Sequence, residues 1–261
     1  MQQDYEEFAI HWVPRHGTRL AEFGAGWTGW CAEHGMSSDV QEYRWLRRGQ
    51  PEAPGMSALH GLHAPLKPGF KLAIGQSFWS LEDDLISFAQ SLPTIQMPRF
   101  EVTVFDGRVV LVPSRPNRPI LRLIRNLDAV IRPFEAQPVY SQCAGGQALA
   151  GVDLPGMQAW TDFNGGSITG FQVPLTDRME LQRAFDLADS LTPRLKAVLA
   201  EPLHLMDVAL MGNPGRGRPW RLIERFAFSD EPSRREARVP RGMACNGPEL
   251  IAPLNTGLAF V

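Results

Sequence analysis

The sequence lacks a charge excess of either sign, and it lacks a long apolar run. It carries 26 Lys and Arg residues against 28 Asp and Glu residues, which gives a formal net charge of −2 over 261 residues. A chain this close to neutrality has no overall attraction to phosphate backbones or anionic lipids, so we expect neither duplex nucleic acid nor a membrane as partner. No stretch reaches the roughly 18 apolar residues of a membrane span, and residues 1–7 are polar and acidic, unlike a signal peptide. These features predict a cytoplasmic globular protein.

Cysteine is scarce as well. The three cysteines, Cys31, Cys143 and Cys245, are scattered without a CxxC pair, so they match neither a disulfide framework nor a zinc site. Six histidines are present, and His60 and His63 lie in one short segment, but no HExxH motif or acidic cluster accompanies them. From this spacing we expect no metal site and no cofactor.

The hydrophobic pattern contains two similar series of elements, each made of a strand, a helix and two further strands. The first series comprises 59–67, 81–92, 100–105 and 108–112, and the second comprises 167–175, 181–191, 203–211 and 220–228. The Asp106-Gly107 pair between two apolar runs is the strongest hairpin signal in the chain. The sequence therefore resembles a duplicated β-α-β-β unit.

This duplication predicts a bilobal α+β fold, in which two antiparallel-rich sheets face each other across a central cleft. The expected boundaries are a first lobe over 1–135, a connecting segment over 136–166, a second lobe over 167–228 and a C-terminal tail over 229–261. The connecting segment is assigned because it has two Gly-Gly pairs, two prolines and no sustained hydrophobic period.

Local signals predict where several elements begin. A strand is expected over 8–13, and apolar residues at spacings of three and four between Leu20 and Cys31 predict the helix that follows. Ser80 is the expected N-terminal cap of the helix in the first unit. Asp177 and Glu180 have the spacing of a capping box for the helix in the second unit.

The residues around His63 resemble those of a known family. Residues 60–67 read HGLHAPLK, and in the two-histidine (2H) phosphoesterase superfamily, among its proteins associated with phosphonate-utilisation operons, the segment reads roughly YGFHATLK. Residues 172–175 read QVPL and stand at the equivalent place in the second unit. The resemblance implies a fold in which each lobe contributes one His-x-Thr motif on a strand.

The resemblance implies a phosphodiesterase. In that family one histidine accepts a proton, the other donates one, and the two threonines bind phosphate oxygens. The sequence departs from the pattern at three of the four positions. Pro65 and Pro174 replace the threonines, and Gln172 replaces the second histidine. Proline has no hydroxyl and no N–H, and an amide does not titrate near neutral pH, so we expect phosphodiester hydrolysis to be lost or very slow.

The remaining polar residues define a different candidate site. His63 is the expected catalytic proton carrier, and Gln172 is expected to face it as a second catalytic group. Strand alternation places Lys67 and Pro65 on the face of His63, and His60 on the opposite face. His60, Lys67, Pro65 and Pro174 are the candidate ligand-binding residues. Each of these side chains could equally be a packed or exposed residue without a function.

Three functions fit this pattern. The first is an enzyme with a rebuilt cleft that performs single-histidine acid-base chemistry, such as a cyclisation, elimination or isomerisation, on a small organic molecule. The second is a noncatalytic protein that binds a small-molecule ligand. The third is a residual cyclic phosphodiesterase linked to phosphonate metabolism. The retention of a polar Gln172 where an apolar residue would fill the space favours the first.

Overall fold

A computed structural model describes residues 5–37, 59–136, 159–161, 167–169, 171–200, 202–215 and 217–229. The helices are α1 (Arg19–Thr28), α2 (Phe78–Gln90), α3 (Arg118–Ile131) and α4 (Leu181–Leu195). The strands are β1 (Glu7–Trp12), β2 (Trp30–Cys31), β3 (Met36–Ser37), β4 (Ala64–Phe70), β5 (Ile95–Gln96), β6 (Phe100–Phe105), β7 (Arg108–Pro113), β8 (Ala159–Thr161), β9 (Ser167–Thr169), β10 (Val173–Pro174), β11 (His204–Leu205), β12 (Asp207–Asn213) and β13 (Arg221–Ala227). None of the helices in these ranges is long and apolar enough to cross a membrane.

The architecture is a mixed α/β fold with antiparallel sheets, as the sequence predicts. The larger sheet has the strand order β13-β12-β1-β4, and the second has the order β10-β7-β6. Every neighbouring pair in both sheets is antiparallel. The pairs β11-β5, β2-β3 and β8-β9 form small two-stranded sheets.

The two large sheets exchange strands between the two halves of the chain. The strand β4 of the first unit lies in the sheet that contains β12 and β13 of the second unit, and β10 of the second unit pairs with β7 of the first. The predicted boundaries at residues 135 and 167 therefore do not separate the sheets, because each sheet contains strands from both halves. Hydrophobic periodicity identifies a strand but does not identify its partner.

The predicted hairpin and β1 are confirmed, whereas several predicted ends are wrong. Asp106 and Gly107 both have positive φ, 48° and 70°, which is the geometry of a type I′ turn. Helix α1 ends before Gly29, which has a φ of 74°, so Trp30 and Cys31 lie on β2 and not on the helix. The capping side chains also differ: Ser77, not Ser80, caps α2, and the N-terminal cap of α4 is Glu180, whose carboxylate accepts from the backbone N–H groups of Gln182 and Arg183.

The predicted strand over 167–175 is interrupted. Its first part is β9, which pairs with β8, and its last part is the short strand β10, which lies in the sheet of β7. Most of the predicted connecting segment over 136–166, and the tail after residue 229, lie outside the described residues.

The two faces of β1 have different surroundings. Phe8, Ile10 and Trp12 belong to the main core, which includes residues of all four helices. Ala9 and Val13 alternate with them and belong to a smaller cluster on the other face of the sheet. His11 alternates in the same way as Ala9 and Val13, so its polar side chain projects from the face of the sheet away from the main core.

A register shift between β1 and β4 changes which side chains of β4 share a face. Pro65 lies opposite His11, and Lys67 lies opposite Ile10, so one extra residue of β4 is accommodated between these two pairs. Residues that are directly opposite in an antiparallel pair project to the same face. Lys67 therefore shares the face of Ile10, which corrects the prediction that simple alternation places it beside Pro65.

Lys67 lies in an ion-pair cluster. Its Nζ is 2.9 Å from Asp128 Oδ1 and 2.8 Å from Glu135 Oε2, and its side chain is only 8% exposed. Burial opposes the charge of Lys67, but the hydrogen bonds to Glu135 and Asp128 raise its pKa. Burial opposes the charge of Asp128 as well, but hydrogen bonds from Lys67 and Arg132 lower the pKa of its carboxyl. These contacts give Lys67 a structural role at the end of α3.

We expect Lys67→Met to lower the free energy of unfolding by about 1–2 kcal/mol at pH 7, since the two carboxylates are about one-third exposed and can recover hydration. The ion pair of Lys67 with Asp128 stabilises the folded protein fully when the pH lies above the ordinary pKa of Asp128, 3.8, and below the ordinary pKa of Lys67, 10.5. The loss should therefore shrink as the pH falls below about 4. Urea unfolding at pH 7 and pH 3 measures it. Lys71→Met, at an exposed position, is the control, and an equal loss in both variants would contradict the role of Lys67.

Candidate functional site

Three histidines from separate parts of the sequence meet beside β1. His11 lies on β1, and His60 and His63 lie in the segment that leads into β4. The ring centroids are 4.3 Å apart for His11 and His63, 4.8 Å for His60 and His63, and 5.5 Å for His11 and His60. One ring nitrogen of each residue lies within 4.8 Å of the others. We call His11, His60 and His63 the histidine cluster.

Strand β4 begins at Ala64, so the cluster does not follow strand alternation. His60 and His63 precede the strand and both turn toward His11, which corrects the prediction that His60 faces away from His63. Gly61 between them has a φ of 69°, a conformation that glycine adopts without strain. The segment 59–67 is therefore not the continuous strand that the sequence predicts, because Leu59 and His60 are helical, the chain turns at Gly61 and β4 begins only at Ala64.

A close approach between α1 and the segment before β4 positions the cluster. A Cβ at Gly24 would lie 2.4 Å from the Cβ of Leu62, a separation that side chains do not tolerate. The helix therefore needs glycine at this position if Leu62, between the two histidines, is to pack against it. On the other side, the backbone N–H of Trp220 donates to Leu59 O at 2.7 Å.

Trp220 forms one wall of the cluster. Its indole stacks on His60 with a centroid distance of 4.8 Å and an interplanar angle of 23°, and its centroid is 6.0 Å from that of His11. The four rings thus form a compact aromatic group on the face of the larger sheet away from the main core.

The hydrogen bonds of the cluster leave several ring nitrogens without a protein partner. His63 Nδ1 is 2.9 Å from the carbonyl oxygen of Gly61. A carbonyl only accepts, so Nδ1 of a neutral His63 carries the proton and Nε2 carries the lone pair. Among the described residues, His11 Nδ1 and His60 Nδ1 are buried and have no hydrogen-bond partner. His11 and His63 are 2% and 6% exposed, so water has little access to them.

Burial keeps all three rings neutral near pH 7. Desolvation, followed by the neighbouring imidazoles, lowers the pKa of His11 well below 6.5 and the pKa of His60 to about 2. Desolvation lowers the pKa of His63 to about 4, although the hydrogen bond to Gly61 opposes this. The sequence predicts a single histidine as the proton carrier, whereas the structure brings together three imidazoles that are neutral near pH 7.

Gln172 and Pro174 lie at the other large sheet. Gln172 is buried just before β10, and its Oε1 has no hydrogen-bond partner within the part of the chain that the structure describes. Pro174 lies opposite Val110 of β7. The ring of the adjacent Phe171 is 5.4 Å from that of Trp12, so the approach to β10 contacts the end of β1. That Gln172 faces His63 stays a prediction.

The structure brings His60, His63 and Pro65 together with His11, and it places Lys67 in its ion pairs. Sequence reasoning missed His11. A signal for it was present, because His11 is the only polar residue in the apolar run from Phe8 to Val13. A polar side chain in a strand that is expected to be buried is a candidate for a specific contact.

No protein-family model matches the sequence, and no curated protein matches it. Solved structures that are similar to the chain include a phosphoesterase, LigT of E. coli and Usb1 of Kluyveromyces marxianus. A crystal structure described as a phosphoesterase has 14% identity and a TM-score of 0.41, covering 86% of this chain and 99% of its own. LigT of E. coli, complexed with 3′-AMP, has 12% identity and a TM-score of 0.43, with coverage of 86% and 99%. Usb1 of Kluyveromyces marxianus has 9% identity and a TM-score of 0.38, with coverage of 86% and 99%.

Proposed function

We propose that the protein is an enzyme that acts on a small organic molecule at the histidine cluster, on a scaffold of the 2H phosphoesterase type. The reaction is a proton-transfer reaction such as a cyclisation, elimination or isomerisation, and not phosphodiester hydrolysis. The observation that carries the proposal is a set of buried polar atoms without partners: His11 Nδ1, His60 Nδ1 and Gln172 Oε1.

Folded proteins satisfy more than about 90% of their buried polar groups with hydrogen bonds. Each buried group that stays unsatisfied costs about 1–3 kcal/mol. Two such atoms in one cluster, and a third on Gln172, which the family resemblance also selects, therefore lower the stability of the folded protein by an unusual amount. Sites that bind a ligand tolerate this cost, because the ligand supplies the missing partners.

The proposal assigns a role to each residue of the site. The histidine cluster supplies the basic group, and the amide of Gln172 orients the ligand by donating or accepting a hydrogen bond. Pro65 and Pro174 line the site without a hydroxyl, so the ligand does not depend on a phosphate clamp. Lys67 is not part of the site in this proposal, since its amine is engaged by Asp128 and Glu135.

A second candidate is a noncatalytic ligand-binding protein. The observation that favours it is the low exposure of His11 and His63, because a nearly closed site exchanges substrate and product slowly. The same unpartnered atoms would bind the ligand in both cases. Only a measurement of chemical change separates these two candidates.

The test compares the full chain with His63→Ala after incubation with an aqueous extract of small metabolites, followed by mass spectrometry. We expect the parent to convert at least one metabolite into a product, and His63→Ala to do so at least about 100-fold more slowly. Gln172→Ala should slow the same conversion by up to about 100-fold, since it removes one preorganised polar group. His204→Ala is the control, because His204 is exposed on β11, and it should match the parent.

Circular dichroism establishes that each variant is folded. Equal conversion by the parent and a folded His63→Ala would contradict the enzyme proposal. Conversion by none of the proteins, together with a metabolite that raises the melting temperature of the parent but not of His63→Ala, would identify the binding protein instead.

A further inference from the structure

We infer that His11, His60 and His63 together bind one divalent transition-metal ion of the zinc class. The inference rests on the proposed function, because it names the group through which the histidine cluster would act. It reverses the expectation from sequence spacing, which found no metal motif because the three ligands come from two distant segments.

The positions of the rings fit a common metal. An imidazole nitrogen binds Zn²⁺ at about 2.0–2.1 Å, which places two ring centroids about 4.5–5.2 Å apart when the angle at the metal is about 90–109°. The three observed separations, 4.3, 4.8 and 5.5 Å, bracket this range. The ligand nitrogens lie within 4.8 Å of one another, and binding of one ion requires them to close to about 3–3.4 Å. It also requires the stacked rings of His11 and His60 to turn relative to His63, so that the three lone pairs converge.

The hydrogen bonds fit the same assignment. Metal-binding histidines usually donate their other ring N–H to a carboxylate or a backbone carbonyl, which fixes the tautomer and the orientation of the ring. His63 has this arrangement, since Nδ1 is 2.9 Å from Gly61 O and Nε2 keeps the lone pair. His11 Nδ1 and His60 Nδ1 are buried without partners, and coordination would satisfy them.

The donor set indicates which metal binds and how. Among the described residues the group contains three imidazoles and no thiolate or carboxylate, and imidazole suits Zn²⁺, Cu²⁺, Fe²⁺ and Ni²⁺ better than Mg²⁺ or Ca²⁺. Structural zinc sites have four protein ligands, whereas catalytic ones have three and leave a position for water or substrate. A metal with three histidine ligands would polarise a bound small molecule and lower the pKa of a bound water.

The competing explanation is that the rings only pack. Stacking of His60 on Trp220 and of His63 on His11 would then be an aromatic contact of the core without a ligand. It leaves unexplained why histidines, with two unpartnered nitrogens, stand where phenylalanine would pack without that cost. The packing explanation predicts no metal binding, so the two are separable.

The test titrates the full chain, after treatment with a chelator, with Zn²⁺ and with Co²⁺. We expect one ion per chain, with a Zn²⁺ dissociation constant of about 1 μM or tighter and visible absorption bands from bound Co²⁺. His60→Gln, at the least buried of the three positions, should weaken binding by about 100-fold or more, since even the partners of metal ligands contribute about 10–100-fold. A double variant His16→Ala and His34→Ala is the control, because these two exposed histidines, beside Cys31, could bind zinc adventitiously.

A measurement on the parent chain covers the case in which His60→Gln does not fold. In a ¹H–¹⁵N spectrum of the six histidine side chains, Zn²⁺ should shift the signals of three and leave three unchanged. Failure of Zn²⁺ and Co²⁺ to bind at one equivalent, or binding that His16→Ala and His34→Ala abolish, would overturn the inference. Neither titration uses a substrate, so metabolite conversion that persists in chelator would reject the metal's role and leave the proposed function standing.

Discussion

Replacement of Asp207 by alanine is expected to lower the free energy of unfolding by about 3 kcal/mol, because it removes a buried charge from between two arginines. Asp207 Oδ2 accepts from Arg15 at 2.7 Å, and its Oδ1 accepts from Arg225 at 3.1 Å. The Asp207 side chain is 3% exposed and that of Arg225 is 16% exposed, so Arg225 recovers little hydration after the substitution. Arg15 is half exposed and can turn to solvent, which keeps the loss below the upper range for a buried pair.

The same network supports the end of β1, which carries His11. Arg225 donates to the carbonyl oxygens of Val13 and Pro14, and it also binds Glu33 at 3.0 Å. Glu33→Ala is therefore a matched control: it removes a carboxylate from the same arginine, but one that is 29% exposed. We expect Glu33→Ala to cost less than about 1 kcal/mol. Urea unfolding of both variants measures the difference, and equal losses would show that burial of Asp207 does not decide the effect.

Hydrolysis of a 2′,3′-cyclic nucleotide is expected to be at least about 100-fold slower than by a 2H enzyme that keeps both His-x-Thr motifs. Pro65 and Pro174 have no hydroxyl with which to bind phosphate, and Gln172 cannot exchange a proton. A general acid or base contributes about 10²–10⁴ in rate, so the loss of one alone accounts for this minimum. The assay follows product release by chromatography in the presence of a chelator, which isolates metal-independent hydrolysis.

Gln172→His provides a matched variant for that assay. It introduces a second imidazole but no hydroxyl at Pro65 or Pro174, so we expect it to raise the hydrolytic rate only slightly. Parent turnover within about tenfold of the intact enzyme would mean that residues 60–67 and 172–175 have been aligned wrongly with the family motifs.

Local chemistry in the sequence determined much of the fold. The hairpin of β6 and β7 follows from the Asp106-Gly107 turn between two apolar runs, and the structure has positive φ at both turn residues. Apolar residues at spacings of three and four in α3, from Ile120 to Ile131, form its buried face. Such signals involve residues a few positions apart, so a single sequence contains them in full.

The sequence predicted only part of the candidate site. Resemblance selected His63 and Gln172, and the structure buries both, but the sequence offered no reason to join His11 to His60. That contact depends on the pairing of β1 with β4, whose residues are more than 50 positions apart. The role of Lys67 was missed for a similar reason, because an extra residue in β4 between Pro65 and Lys67 places Lys67 on the face opposite to the one that simple alternation predicts.

The sequence by itself therefore determined most of the elements and their approximate order. The tertiary structure alone decided which strands pair, with β4 and β10 each lying in the sheet of the other unit's strands. It also decided which polar side chains meet. The physical reason is that turn chemistry and periodicity act over a few residues, whereas strand pairing and register depend on the packing of distant segments around a common core.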